Sequence, residues 1–115
     1  MEKKGSNKID EDTNNKIKNL QILEQNLQNL MMQKQAFNFE AVETLNALDE
    51  LKNSDGDVFK IVGSIMIKAE KKDVEEDLMK KRDLIEMRIK NIDKQEKSLN
   101  EKLLVIKEEI IKKIK

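Results

Sequence analysis

At 115 residues, with 40% charged and 3% aromatic side chains and no proline, the chain has the make-up of a long-helix or coiled-coil protein, and room for one domain. Lys and Arg total 23 against 23 Asp and Glu, so no net field exists to draw nucleic acid or an acidic membrane surface. His, Cys, Trp and Tyr are absent, which removes imidazole bases, thiol nucleophiles, disulfides and the usual zinc ligands.

The composition therefore points away from an enzyme, and no cofactor is expected. No N-terminal apolar leader and no run of about 18 apolar residues is seen, so the expected location is cytoplasmic, with no membrane partner.

Residues 1–12, MEKKGSNKIDED, mix charge with Gly5, Ser6 and Asn7 and are expected to form a disordered tail. Asp12, Thr13 and Asn14 are all competent N-caps, which predicts a helix over about 14–52. Within it Leu20, Leu23, Leu27, Leu30, Lys34, Phe37, Ala41, Thr44, Leu48 and Leu51 alternate by three and four residues, the spacing of a heptad seam. Off that seam lies a looser set, Ile22, Met32, Ala36 and Phe39. The turn formers Asn53-Ser54-Asp55-Gly56-Asp57 end the helix. Their resemblance to a calcium loop is superficial, because the ladder of ligands and the closing glutamate are missing.

Residues 58–69, VFKIVGSIMIKA, break the helical pattern. Two runs rich in β-branched residues flank Gly63-Ser64, which suits a two-residue type II′ hairpin turn. That turn pairs Val62 with Ile65, Ile61 with Met66 and Lys60 with Ile67. One face then carries Val58, Val62, Ile65, Ile67 and Ala69, interrupted by Lys60. The other carries Phe59, Ile61 and Met66 and ends at Lys68.

A ribbon with one wet side should alternate apolar with polar residues. This one is apolar on both sides, and the chain has no third strand to pair its edges. Covering Val58, Phe59, Ile61, Val62, Ile65, Met66 and Ile67 would contribute roughly 10–20 kcal/mol gross, an upper bound. The expected solution is an oligomer centred on a shared sheet, with Val58, Phe59, Ile61, Val62, Gly63, Ile65, Met66 and Ile67 at the contact.

A second helix is expected over about 71–114. Asp73, Glu75, Glu76 and Asp77 complement its N-terminal dipole, and Lys112, Lys113 and Lys115 its C-terminal end. Leu78, Ile85, Ile92, Leu99 and Ile106 recur every seven residues, with Arg82, Ile89, Glu96, Leu103 and Ile110 as the second row. Met79, Leu84 and Met87 lie off it. Two such seams can bury each other as an antiparallel pair of helices about 55–60 Å long, with the hairpin at one end and both termini at the other.

The order helix, VFKIVGSIMIK hairpin, helix resembles the beta-type subunits of archaeal prefoldin over about residues 17–114. The most specific matches are Phe59, Lys60 and Val62-Gly63 before an aliphatic strand, and Gln95-Glu96 with Leu99-Asn100-Glu101-Lys102. Phe39 and the isoleucine-rich chain end fall outside that pattern.

The resemblance implies a hetero-hexamer of two alpha-type and four beta-type subunits. In it the hairpins assemble into an inter-subunit β-barrel carrying coiled-coil arms. It further implies an ATP-independent holding chaperone that takes unfolded polypeptides at the arm tips and passes them to a group II chaperonin. Room for a single hairpin points to the beta type.

The residues also mark the arm ends independently of that resemblance. Leu104, Val105, Ile111 and Ile114 are more apolar surface than the seam around Ile110 can use, and Ile17 and Ile22 flank Leu20 on the other helix. Ile17, Leu20, Ile22, Leu104, Val105, Ile110, Ile111 and Ile114 are the candidate client-binding residues, since exposed apolar patches usually mark interaction sites. The plainer reading is that Ile111 and Ile114 finish the packing of a helix end.

For Met32, Phe39, Met79 and Met87 the choice lies between clients and neighbouring subunits. A structural scaffold binding one folded partner remains the alternative function. Nucleic-acid binding is disfavoured, because residues 107–115 set four lysines against two glutamates and have no stacking aromatic.

Overall fold

A computed structural model of the chain describes residues 11–114. The order is α1 (Glu11–Lys52), β1 (Val58–Val62), β2 (Ile65–Ala69) and α2 (Lys71–Ile114). The tail expected over residues 1–12 lies outside the described residues except for Glu11 and Asp12, which are already helical rather than disordered. The helix thus starts before the N-caps read from the sequence; the acidic pair Glu11 and Asp12 stands in its first turn, where the helix dipole favours it.

Among the described residues, 11–33 with 92–114 belong to one compact unit, here the terminal unit, and Lys34–Asn91 form a second, the hairpin unit. The two helices run antiparallel within each. In the terminal unit Lys16 meets Glu109, while Asn26 and Gln33 share a groove with Leu99 and Gln95. In the hairpin unit the Arg88 guanidinium stands 5.6 Å over the Phe37 ring, and Lys71 reaches the carbonyl of Lys52.

The seams bury as their spacing predicts. From Leu20 to Leu51 every seam residue of α1 is half-buried or buried and every other residue is exposed. Leu78 to Ile110 on α2 behaves alike, with Glu109 the one addition. Leu30, Leu51, Ile85, Ile92 and Ile110 are the buried apolar side chains.

Polar seam residues are accommodated individually. Thr44 is 3% exposed and its Oγ1 donates to the Glu40 carbonyl at 2.8 Å, so its hydroxyl is satisfied within its own helix. Arg82 is half-buried and its Nη2 donates weakly to Asp83 at 3.4 Å, but its buried Nε has no hydrogen-bond partner.

Between α1 and β1 the backbone NH groups of Asn53 and Ser54 bond back to the carbonyls of Asp49 and Leu51. The Lys71 ammonium donates to the carbonyl of Ser54 at 3.0 Å and of Lys52 at 3.5 Å, satisfying acceptors that a helix C-terminus leaves open. At the start of α2 the Glu70 carbonyl takes the first helical bond, from the Val74 NH.

The hairpin register is Val58 with Ala69, Phe59 with Lys68, Lys60 with Ile67, Ile61 with Met66 and Val62 with Ile65, as the Gly63-Ser64 turn dictates. Gly63 has φ +65° and no other described residue is positive, which suits type II′ and excludes type I′, since the latter needs two positive values. The two strands form a two-stranded sheet with both outer edges open.

Candidate functional site

Among the described residues, the hairpin and the terminal unit each carry an apolar surface that is left uncovered. The first is the hairpin. Phe59, Ile61, Val62, Ile65, Met66 and Ile67 are all exposed, Ile61 at 71%, and Val58 is half-buried. Because cross-strand partners share a face, Phe59, Ile61 and Met66 stand on one side, and Val62, Ile65 and Ile67 on the other. Lys60 breaks the second face only in part, since its ammonium reaches Asp77 of α2 at 3.3 Å. Lys68 ends the first face and reaches Asp57 at 3.6 Å. Both pairs are exposed and add little stability, but they turn the two charges away from the apolar residues.

The second surface lies in the terminal unit. Ile22, Leu104, Val105, Ile111 and Ile114 are between 53% and 62% exposed. Ile17 and Leu20 are half-buried, and Ile110 is buried at 9% because it occupies the seam. The first five can therefore touch a partner directly, whereas Ile110 supports them from beneath.

The five exposed residues fall on separate flanks. Ile22 and Val105 border a groove of about 530 Å³ with Leu23 and Ile106, whose polar margin is Asn19, Ser98, Glu101 and Lys102. Leu104 and Ile111, seven residues apart, share another face of α2 with Ile114 beyond them. The charged pair on the groove margin cancels, so the groove favours uncharged apolar groups of no particular sign.

The apolar seam of α1 stops at Leu20, and Lys16 takes over the next position. Its ammonium bonds the Glu109 carboxylate at 2.9 Å and Asp12 at 3.5 Å. The Glu109 hydrogen bond is the largest influence on the Lys16 amine and holds its pKa above the usual lysine value, against an opposing effect of partial desolvation. Sequence reading missed this pair, because it depends on the rotation of α1 against α2.

On the outer surface of α1 the sequence singled out Met32 and Phe39 but missed Met31, Val42 and Leu45. Met31, Met32, Phe39, Val42 and Leu45 are all more than half exposed. Phe39, Val42 and Leu45 follow one another at intervals of three, a spacing that places them on a common stripe and that could have been read. Met79, Leu84 and Met87 are exposed on α2. Among the described residues no helix is long and apolar enough to cross a membrane, and no group of three or more acidic residues could hold a metal ion.

Comparison with known proteins finds the family model "Prefoldin subunit" matching residues 14–115. The chain is similar to a prefoldin subunit beta of Thermococcus kodakarensis, at 37% identity over 86 residues, which is 73% of this chain and 74% of that protein. A prefoldin subunit beta of Archaeoglobus fulgidus is 37% identical over 90 residues, covering 76% and 78% respectively. The crystal structure of the prefoldin beta subunit from Thermococcus strain KS-1 superposes with a TM-score of 0.82 at 33% identity, over 89% of this chain and 91% of that one.

Proposed function

Because the chain belongs to the prefoldin subunit family, we propose that it acts as a beta-type subunit of a hetero-oligomeric cytoplasmic chaperone. It has no catalytic step. Its hairpin joins those of alpha-type and further beta-type subunits, two alpha to four beta, in a closed β-barrel. The apolar ends of the coiled coils hold non-native polypeptides without ATP and release them to a group II chaperonin.

The observation that carries this reading is the hairpin, apolar and exposed on both faces and open at both edges. A two-stranded ribbon of that kind is marginal alone, and closure among several copies removes edges and exposed faces together. Support for the holding role comes from Ile22, Leu104, Val105, Ile111 and Ile114, exposed in the terminal unit. Several weak apolar grips on one client add up to a firm hold that can still be released one grip at a time.

The test is aggregation of several unrelated denatured proteins, followed by light scattering without ATP and with the chain assembled with an alpha-type subunit. Slowed aggregation of most of them is expected, and deletion of residues 104–115 should abolish it while the assembly persists. A truncated assembly that protects as well as the full one contradicts the terminal site. Tight binding of one folded protein, with no effect on denatured ones, would replace the chaperone reading by a scaffold.

A further inference from the structure

We infer that Met66 is an oxidation site that governs entry of the hairpin into an assembly, an inference that rests on reading the hairpin as the contact between subunits. With no cysteine in the chain, the thioethers are its sulfur groups open to peroxide. Met31, Met32, Met66, Met79 and Met87 all lie outside the seams and are between 40% and 65% exposed. Four of them stand on helix surfaces, where a sulfoxide can remain in water.

Met66 differs in its surroundings. It is 65% exposed on β2, opposite Ile61, on the strand face that also carries Phe59. The sulfur is thus accessible in the free chain and lies on a face that assembly covers. Oxidation by a peroxide moves one oxygen atom. A sulfur lone pair attacks the peroxide, the S–O bond forms as the O–O bond breaks, sulfur loses two electrons, and the second oxygen leaves as water or alcohol once protonated.

The product is a strong hydrogen-bond acceptor among side chains that donate nothing. The Phe59 and Ile61 side chains have no donor, and Lys68, at the end of that face, turns its ammonium outward toward Asp57 at 3.6 Å. Burying the sulfoxide there weakens each contact by about tenfold or more, the scale of an unsatisfied buried polar group. Assembly therefore shields the sulfur, oxidation of unassembled chains withholds them, and enzymatic reduction of the sulfoxide returns them to use.

The test exposes the full chain to hydrogen peroxide, free or already assembled with an alpha-type subunit. Peptide mass spectrometry then locates the added oxygen, and native mass spectrometry follows assembly. Met66 should oxidise faster in the free chain than in the assembly, and the oxidised chain should assemble at least about tenfold less well. Met66→Leu, compared with its own untreated sample, should lose no assembly on treatment. A chain with Met31→Leu, Met32→Leu, Met79→Leu and Met87→Leu, keeping Met66, should lose assembly like the parent.

Equal peroxide sensitivity of Met66→Leu and the parent, or normal assembly of chains oxidised at Met66, overturns the inference and leaves the hairpin reading intact. Failure of the untreated parent to assemble with any subunit overturns both.

Discussion

Replacing Leu104, Ile111 and Ile114 together by serine should remove most of the grip on non-native clients while leaving the chain folded. The three are 60%, 53% and 62% exposed, so the seam uses less than half of each. A client covering the remainder gains roughly half of the 1.5–3 kcal/mol that full burial of such a side chain contributes, or about 1 kcal/mol each. Losing about 3 kcal/mol per arm weakens that arm's hold by about a hundredfold, since each 1.4 kcal/mol is tenfold. Engagement of several arms multiplies the loss.

The fold itself should tolerate the change, because substitutions at such exposed positions shift stability little. The assay is the chaperone concentration giving half-maximal protection of a denatured client without ATP. It should rise by at least about tenfold, with helicity by circular dichroism and assembly mass unchanged. An unchanged half-protection concentration would refute the reasoning and move the binding surface elsewhere, the groove between Ile22 and Val105 being the next candidate.

Three further outcomes concern stability and assembly. Gly63→Val should disfavour the turn by about 1–2 kcal/mol, because φ +65° is left-handed backbone that a β-branched residue resists, and it should lower the assembled fraction in native mass spectrometry. Arg82→Leu should raise stability to urea by about 1–3 kcal/mol, since it replaces a buried unpaired Nε in the seam by an apolar group. Stability read as Tm should be flat through neutral pH as far as Lys16 is concerned. Its amine has a raised pKa when folded, so its contribution is fully present below the ordinary lysine value and is lost as pH rises through the folded one. Lys16→Met should remove that alkaline decline from the profile.

Much of the fold was legible because two local rules governed it. Alternation by three and four residues fixed both seams, even through Lys34, Thr44, Arg82 and Glu96, which are all half-buried or buried in place. Thr44 fits because its hydroxyl turns back onto Glu40. Gly63-Ser64 fixed the strand register, because a two-residue turn leaves no freedom to slip.

Contacts between elements were not legible. Lys16 with Glu109, Lys60 with Asp77 and Lys71 with the end of α1 each join residues far apart in sequence, and any of the many lysines could have served. The start of α1 was misplaced because several residues in a row could cap it. In the terminal surface, composition revealed an excess of apolar residues, but only the structure divides them between the groove beside Val105 and the Leu104–Ile111 flank.

The most direct measurement is the mass of the intact species, by native mass spectrometry and sedimentation velocity, for the full chain alone and with an alpha-type subunit, with Ile61→Asp alongside. Ile61 is 71% exposed, so the substitution spares the single chain and strikes only what covers the hairpin. Multi-chain assemblies for the parent, lost in Ile61→Asp at unchanged helicity, are the predicted result. A well-folded single chain at every concentration, with or without the companion subunit, would contradict the account.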